Sequence, residues 1–371
     1  MKTAFDAHCW AEIDLDALVH NFHLIREKAS PAAVCAVVKA DAYGHGDRMA
    51  ARTLAEAGAA WFAVSSLAEA RHLRRSGIKQ PILILGMTRP ECAGALAAEA
   101  AGVTVEGHLK IDTGMGRIGF GACRDFEGAV SGLLECRRLR GLSITGAFQH
   151  FPVADSLSEE DRRYTEKQYA LFRRVVERLE AAGPLRTVHC SNSAGLTAHP
   201  EWSGDMVRAG VILYGQDPSA EVAFPGLRPV MALKTVVSQV KDLAPGDCVG
   251  YGRTYTADRP LRAATVCCGY ADGYPRCLSN LGTASIHGHP APVIGRVSMD
   301  QIVLDASQAP EVSAGDEAVL LGAAPADGFA QAAEKAGTIT YELLCAVARR
   351  VPRVYLRGGE VVEVLDYLDK E

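Results

Sequence analysis

The sequence predicts an α/β protein, a (β/α)8-type TIM barrel followed by a mostly antiparallel β domain. Up to Tyr214, short apolar runs alternate with helical stretches, which is typical of parallel strands that helices cover on both faces. After Tyr214, shorter strand-like segments are split by turn sequences, and this favours antiparallel pairing.

The predicted barrel strands are continuous apolar runs, as expected of strands buried on both faces. They are Val34–Lys39, Trp61–Val64, Ile82–Leu85, Leu142–Phe148, Thr187–Cys190 and Val207–Leu213. Helices are predicted at Ala68–Ser76, Ser158–Ala182 and, in the second half, Ile339–Val351. Ser158 with Asp161 three residues later resembles a capping box, so the second helix is expected to begin there.

The length of 371 residues exceeds what one hydrophobic core usually holds, so two domains are expected. Asp217-Pro-Ser and Pro225-Gly-Leu-Arg-Pro interrupt the pattern. We therefore predict a barrel domain over residues 1–225 and a β domain over 226–371. Roughly the first ten residues are free to pack on the β domain in this scheme.

The composition excludes several classes of protein. Apolar residues make up 48% and charged residues 22%, so a globular chain is expected rather than a disordered one. A net charge of −5 offers no basic stripe for nucleic acid. The chain shows no signal-peptide core, no apolar run long enough for a bilayer and no CxxC pairs among its 11 cysteines. These features predict a cytoplasmic protein with reduced thiols and no metal site.

Lys39 ends a predicted strand, at the face of a barrel where catalytic residues usually lie. Partial burial there lowers the pKa of a lysine and makes its amine nucleophilic, which suits a Schiff base with an aldehyde cofactor. Tyr43, Gly44 and Gly46 follow closely, and small residues let a backbone approach a ligand. Taken alone, however, a lysine after a strand is more often an exposed surface residue.

The segment Val37-Val-Lys-Ala-Asp-Ala-Tyr-Gly-His-Gly resembles the cofactor-lysine motif of the alanine racemase family. Further segments match the family in its own order over nearly the whole chain. They are His108-Leu-Lys-Ile-Asp-Thr-Gly-Met-Gly-Arg, Val207-Arg-Ala-Gly-Val-Ile-Leu-Tyr-Gly, Gly269-Tyr-Ala-Asp-Gly-Tyr-Pro-Arg, Val297-Ser-Met-Asp-Gln, and Thr338-Ile-Thr-Tyr-Glu with Arg350-Val-Pro-Arg-Val-Tyr.

The resemblance implies racemisation of L- and D-alanine with pyridoxal 5′-phosphate (PLP), supplying D-alanine for peptidoglycan. Lys39 then holds PLP and acts as base on one face of Cα, while Tyr251 acts on the opposite face. A tyrosine hydroxyl titrates near 10 in water and needs nearby positive charge to act as a base. Arg208 faces the pyridine nitrogen, and because arginine stays protonated it leaves the ring a weaker electron sink.

The family pattern implies roles for the remaining site residues. Those that bind PLP are Tyr43, His150, Ser193, Gly210, Val211 and Tyr341, and Asn192 supports them. Those that meet substrate are Arg117 and Met299, and Lys110, a lysine carbamylated in many family members, positions Arg117. Those that line or support the substrate entrance are Tyr270, Arg276, Arg296 and Asp300. In this family the β domain of one subunit completes the barrel site of the other, which implies a homodimer.

The chain is shorter between Lys39 and Lys110 than the resemblance leads us to expect. If Val103–Val105 and His108–Ile111 are separate parallel strands, two residues join them, whereas parallel neighbours need about a dozen. Either one continuous strand replaces two, or the barrel lacks a helical crossover near residues 101–110. The latter hypothesis puts Lys110, Arg117 and full activity in doubt.

Three alternatives stay open from the sequence. A racemase for serine or another amino acid is the first, since a pocket rejects one extra group by only about 1–3 kcal/mol. A related PLP decarboxylase is the second, although its glycine motifs are not found. A PLP-binding protein with lost or impaired activity is the third, and Tyr251 with its whole domain argues against it.

Overall fold

The computed structural model describes residues 7–89, 105–139 and 142–369. The chain divides into two compact units. The barrel unit comprises Val19–Lys39 and Ala51–Leu227, and the β unit comprises Met1–Leu18, Ala40–Ala50 and Arg228–Glu371. Each unit consists of more than one stretch of the chain, whereas the predicted division was a single cut at residue 225. That division stays a prediction.

The helices and strands are numbered in chain order. The first half contains β1 (Cys9–Asp14), α1 (Leu15–Ala29), β2 (Ala33–Val37), α2 (Asp47–Glu56), β3 (Trp61–Val64), α3 (Leu67–Arg75), β4 (Ile82–Ile84), β5 (Val105–Asp112), β6 (Phe120–Gly121), α4 (Phe126–Cys136), β7 (Leu142–Phe148), α5 (Glu159–Glu180), β8 (Thr187–His189), α6 (Ser193–Ala198) and β9 (Met206–Ala209). The second half contains β10 (Met231–Leu243), β11 (Cys248–Val249), β12 (Tyr255–Thr256), β13 (Leu261–Val266), β14 (Thr283–Ile286), β15 (His289–Pro292), β16 (Ile302–Asp305), β17 (Glu317–Leu321), α7 (Phe329–Ala336), α8 (Thr340–Ala346), β18 (Arg353–Arg357) and β19 (Glu360–Leu365).

The barrel unit contains two parallel sheets, ordered β4-β3-β2-β9 and β6-β5-β7-β8. Cys35 of β2 lies opposite Trp61 on one side and Arg208 on the other. The strands are apolar because helices such as α5 pack against them, and this pattern made them predictable. Ser158 caps α5 by accepting a hydrogen bond from the Asp161 N–H, as its spacing indicated.

Two strand predictions were wrong at their carboxyl ends. β2 ends at Val37, and Lys39 begins a left-handed turn. β9 ends at Ala209, because Gly210 leaves the extended conformation with φ −117° and ψ −106° and a 3-10 turn follows over Val211–Tyr214. In both cases the run of apolar residues continues past the end of the strand into a turn, so the predicted strand was too long.

The shortened region resolves into one continuous strand where it is described. β5 runs without a break from Val105 to Asp112 and pairs in parallel with β7. The predicted strand His108–Ile111 is therefore part of β5, and no helix lies within residues 105–110. Residues 101–104, where the missing crossover was also placed, lie outside the described residues.

The β unit is mostly antiparallel, as predicted. Its nine-stranded sheet follows the order β15-β14-β17-β10-β1-β18-β19, and β13 joins β10 to β16. β1 pairs antiparallel with β10 and parallel with β18, so the N-terminal strand belongs to this sheet. The helix predicted over Ile339–Val351 is shorter, since α8 ends at Ala346. Within the described ranges, no helix is long and apolar enough to span a bilayer.

Candidate active site

Arg208 lies inside the barrel unit on β9 and is 3% exposed. Its guanidinium donates to the Gln149 and Cys190 carbonyl oxygens at 2.8 and 3.0 Å and to His189 Nδ1 at 2.8 Å. None of these partners is a carboxylate, so a structural salt bridge does not account for the burial of a charged side chain at this position. Burial lowers the pKa of Arg208 to about 10, which leaves it protonated at neutral pH.

A chain of histidines continues from Arg208. An arginine can only donate, so His189 Nδ1 must accept its hydrogen bond. The proton of His189 then sits on Nε2, which donates to His108 Nδ1 at 2.8 Å. Burial lowers the pKa of His189 well below its usual value, and the Arg208 charge adds to this. Burial likewise lowers the pKa of His108, so Arg208 faces two neutral rings rather than a counter-ion.

Sequence reasoning missed both histidines as functional residues. His108 stands in a family-like motif and His189 in the predicted strand Thr187–Cys190, but neither was given a role. The available clue was a histidine inside an otherwise apolar predicted strand. The clue is weak because buried histidines commonly serve only packing.

His150 lies among positively charged side chains of the barrel unit, a group that we call the cationic pocket. Burial lowers its pKa to about 3, and the positive charges of Arg208, Arg117, Lys110 and Lys39 lower it further. Its Nε2 contacts Asn192 Nδ2 at 3.4 Å. The structure thus brings together five of the residues predicted for the site around one neutral ring. Such a concentration of positive charge suits an anionic ligand.

Lys110 lies on β5 and Arg117 in the exposed turn that follows. Burial lowers the pKa of Lys110 to about 8, although the charge of Asp112 opposes the shift. Asp112 accepts hydrogen bonds from the Gly114 and Gly116 N–H groups, each at 3.0 Å. The carboxylate thereby shapes the turn that carries Arg117, so the shortened region has not removed either residue from the pocket.

The predicted phosphate-binding residues of the barrel unit also lie together. Ser193 begins α6, and its Oγ accepts a hydrogen bond from the Gly210 N–H at 2.9 Å. Asn192 caps the same helix through the Gly195 N–H. Val211 begins the 3-10 turn immediately after Gly210. Hydroxyl and main-chain N–H groups of this kind are the usual ligands of phosphate at helix starts.

The segment after Lys39 adopts an unusual backbone. Four residues in a row, Ala40 to Tyr43, have φ between 52° and 55°. A left-handed conformation costs each non-glycine residue about 1–2 kcal/mol, so neighbouring groups must hold the turn. The following glycines permit close contacts with protein, not only with a ligand. A Cβ on Gly44 would lie 2.3 Å from the Leu344 carbonyl oxygen, and one on Gly46 would lie 1.8 Å from Tyr355 Oη.

The remaining candidates lie in the β unit, and several are strongly exposed. The exposed fraction is 74% for Tyr251, 52% for Met299 and 42% for Tyr270. Tyr251 sits in a 3-10 turn, Arg276 is exposed and Arg296 is partly buried. Tyr43 and Tyr341 have ring centroids 6.1 Å apart. Each unit thus carries its own set of predicted site residues.

Arg350 links the two loops that carry Tyr270 and Met299. Its Nε donates to Asp272 at 2.7 Å and its terminal nitrogen to Asp300 at 2.6 Å. The loops are also joined by hydrogen bonds between main-chain groups, including Ala271 N–H to the Met299 carbonyl at 3.1 Å. The two carboxylates raise the pKa of Arg350 above its ordinary value. Arg350 stands in a family-like motif of the sequence, but its link between these two loops was not predicted.

Comparison with known proteins identifies the family. The model described as "Alanine racemase, N-terminal domain" matches residues 13–106 and 90–218, and "Alanine racemase, C-terminal domain" matches residues 230–355. An alanine racemase of Desulfovibrio desulfuricans is 42% identical over 381 positions, covering 95% of this chain and 99% of the relative. That alignment is longer than the chain itself, so the relative carries residues that this chain lacks.

Solved structures agree with the sequence comparison and confirm the predicted fold class. The alanine racemase of Clostridium difficile 630 superposes with a TM-score of 0.90 at 36% identity, covering 98% of this chain and 100% of that one. The Bacillus anthracis alanine racemase with bound L-Ala-P has a TM-score of 0.87 at 33% identity, covering all of both chains. The chain belongs to the alanine racemase family, whose members are PLP-dependent isomerases.

Proposed function

We propose that this chain interconverts L- and D-alanine with PLP attached to Lys39, and that Lys39 and Tyr251 are the two bases. The cationic pocket around His150 carries the proposal. PLP bears a phosphate and a phenolic oxygen, and the pocket offers Lys39, Lys110, Arg117 and Arg208. Ser193 adds a hydroxyl, which the Gly210 N–H holds in place at 2.9 Å. The donor set therefore fits the cofactor.

PLP supplies an electron sink when bound, and the protein controls its strength. In this proposal, Arg208 is the residue that sets the strength of the electron sink. Arg208 stays protonated, since burial lowers its pKa only to about 10. One of its N–H groups is already donated to His189 Nδ1. If PLP is bound, Arg208 would therefore donate a hydrogen bond to the ring nitrogen without giving up its proton. This would keep the sink moderate and disfavour side reactions such as transamination.

The chain's own bases move the α-proton. Once the substrate amine has replaced Lys39 on the cofactor, the freed Lys39 amine would remove or return the α-proton on one face of Cα. Tyr251 would return or remove it on the other face, so each turnover takes a proton from one side and adds one on the opposite side. Arg117 and the Met299 N–H hold the substrate carboxylate in this proposal. Lys110, with its pKa lowered to about 8, has a larger neutral fraction at neutral pH than an ordinary lysine, and carbamylation requires the neutral amine.

Alanine is the substrate that the family relationship favours over serine or a larger amino acid. The Bacillus anthracis relative was solved with L-Ala-P, and we extend that preference to this chain. In the cytoplasm, the D-alanine produced would enter peptidoglycan. Comparing kcat/KM for alanine and serine tests the choice, and a higher value for serine would contradict it.

We also propose that two chains share their active sites. Tyr251 is 74% exposed, but proton transfer between a tyrosine and a carbon acid needs a site closed to water. A second subunit that covers Tyr251 and Met299 would provide this closure. A two-fold homodimer buries the same surface on both subunits and so completes two sites at once.

Mixing two inactive variants tests the shared site. When Lys39→Ala and Tyr251→Phe subunits exchange at random, half of the dimers are hybrids with one intact site of two. Activity should therefore recover to about a quarter of wild type. Each variant mixed with itself is the control. No recovery, once subunit exchange is verified by native mass spectrometry, would contradict the shared site.

Arg350 is expected to set the position of the Met299 loop. Arg350→Ala removes the link between Asp272 and Asp300, so the Met299 N–H should lose its alignment with the substrate carboxylate. We expect KM for alanine to rise by roughly tenfold or more, given what a hydrogen bond to a charged group contributes. Arg259→Ala is the matched control, since Arg259 pairs with Asp305 at 2.8 Å in the same unit. Equal KM values in the two variants would argue against this role.

A further inference from the structure

Arg353 is a buried cation without a carboxylate partner among the described residues. It is 1% exposed and lies at the start of β18. Its guanidinium donates to four main-chain carbonyl oxygens, those of Gly44 at 2.9 Å, Ala348 at 2.6 Å, Val351 at 2.5 Å and Val347 at 2.7 Å. Burying a charge is costly unless its hydrogen bonds are satisfied, so the carbonyl groups are held firmly in this arrangement.

The four carbonyl groups belong to two segments of the β unit. Gly44 directly follows Tyr43, at the end of the left-handed turn. Val347, Ala348 and Val351 follow α8, which carries Tyr341. One planar guanidinium therefore fixes the distance between a segment that bears Tyr43 and a segment that bears Tyr341. A lysine, with a single ammonium group, cannot reproduce this forked geometry.

Other hydrogen bonds also hold the left-handed turn, but none of those described below reaches the segment after α8. Tyr355 Oη donates to the His45 carbonyl at 3.1 Å, and Asp41 accepts a hydrogen bond from the Asp47 N–H at 2.9 Å. His45 Nδ1 lies 2.9 Å from the Ala42 carbonyl oxygen. Burial lowers the pKa of His45 to about 3, so this ring is neutral. Arg353 differs from these groups because it reaches both segments.

The two tyrosines face one another. Their ring centroids are 6.1 Å apart, and Tyr43 is 7% exposed. Burial raises the pKa of Tyr43, and the nearby Tyr341 adds to this shift. The Tyr43 hydroxyl therefore stays protonated at neutral pH, and the closeness of the two rings lets both hydroxyls approach a single anionic group.

We infer that Arg353 is a positioning residue for the cofactor phosphate, because it fixes the Tyr43 and Tyr341 segments so that both hydroxyls meet one phosphate group. The inference rests on the proposed function. Arg353 itself donates to main-chain oxygens, so its effect on the phosphate passes through these two segments.

Comparing PLP with pyridoxal, which lacks the phosphate, tests the inference. Full-length Arg353→Lys, freed of cofactor, is titrated with each compound, and binding is followed by tryptophan fluorescence. We expect Kd for PLP to rise by roughly 10- to 100-fold, as for a lost hydrogen bond to a charged group, and Kd for pyridoxal to change little. Arg262→Lys is the control, since Arg262 donates to the Val312 carbonyl at 3.2 Å in the same unit.

A merely structural role would weaken the binding of PLP and pyridoxal equally, and that result, or no change, would overturn the inference. If Arg353→Lys does not fold, the same comparison on Tyr355→Phe decides, because it releases the His45 end of the turn. A selective loss of PLP affinity there supports the inference, and an unselective one overturns it. The proposed function fails separately, if the wild-type chain forms no borohydride-reducible PLP adduct on Lys39.

Discussion

Replacing Lys39 by alanine is expected to remove both racemisation and covalent attachment of PLP. The amine is the only group proposed both to bond to the cofactor and to move the α-proton on one face. General acid–base catalysis alone contributes about 10²–10⁴-fold, so kcat should fall by at least about 10⁴-fold when both roles are lost. The decrease is measured by following D-alanine formation from L-alanine with excess PLP.

Attachment is measured separately from catalysis. Borohydride reduction of the wild-type holoenzyme, followed by peptide mass spectrometry, should place the cofactor on Lys39. Lys167→Ala is a suitable control, because Lys167 is an exposed lysine of the barrel unit. If Lys39→Ala still racemises alanine at a rate near wild type, or if the reduced cofactor is found on another lysine, Lys39 has been assigned the wrong role.

Replacing Tyr251 by phenylalanine is expected to stop racemisation but to leave one enantiomer able to exchange its α-hydrogen. The two alanine enantiomers have equal free energy in water, so kcat/KM must fall equally in both directions. A fall of about 10²–10⁴-fold is expected from the loss of one base. The asymmetry appears in deuterated solvent, where Lys39 still exchanges the α-hydrogen on its own face.

Nuclear magnetic resonance can follow this exchange for each enantiomer separately. Tyr255→Phe is the matched control, since Tyr255 lies four residues further on in β12 and has no proposed role. One enantiomer should retain exchange with Tyr251→Phe while the other loses it. Small and equal losses of exchange from both enantiomers would contradict the two-base assignment.

The sequence predicted features that depend on local pattern. Continuous apolar runs located most barrel strands, and Ser158 with Asp161 located the start of α5. The motifs supplied Lys39, Lys110, Arg117, His150 and Arg208, and the structure places these residues in the cationic pocket of the barrel unit. The strand and cap predictions use a pattern of fixed spacing, and the site residues rest on the resemblance to the alanine racemase family, so no tertiary contact had to be known.

The features that escaped prediction depend on distant contacts. The left-handed turn after Lys39 consists of non-glycine residues, whose own preferences oppose that conformation. It is held by groups such as Arg353, 309 positions from Gly44 in the chain. The pairing of His108 with His189 and the link from Arg350 to Asp272 likewise join residues about 80 positions apart. Nothing in the local sequence distinguishes these residues from ordinary core or surface ones.

The shortened region between Lys39 and Lys110 also could not be resolved from local sequence alone. The sequence allowed one continuous strand or a missing crossover, and the structure shows continuity from Val105 to Asp112. It also shows that β5 presents Lys110 next to the charges of Arg208 and Arg117. The doubt about these two residues is answered by their placement, while their roles in substrate binding stay predictions.

The most direct test of the two-base account is to incubate the wild-type protein and PLP with L-alanine in deuterated water. We expect a yellow holoenzyme that produces D-alanine bearing deuterium at Cα, until the two enantiomers are present in equal amounts. A yellow holoenzyme that leaves the α-hydrogen in place, or D-alanine that keeps its original α-hydrogen throughout, would contradict the account.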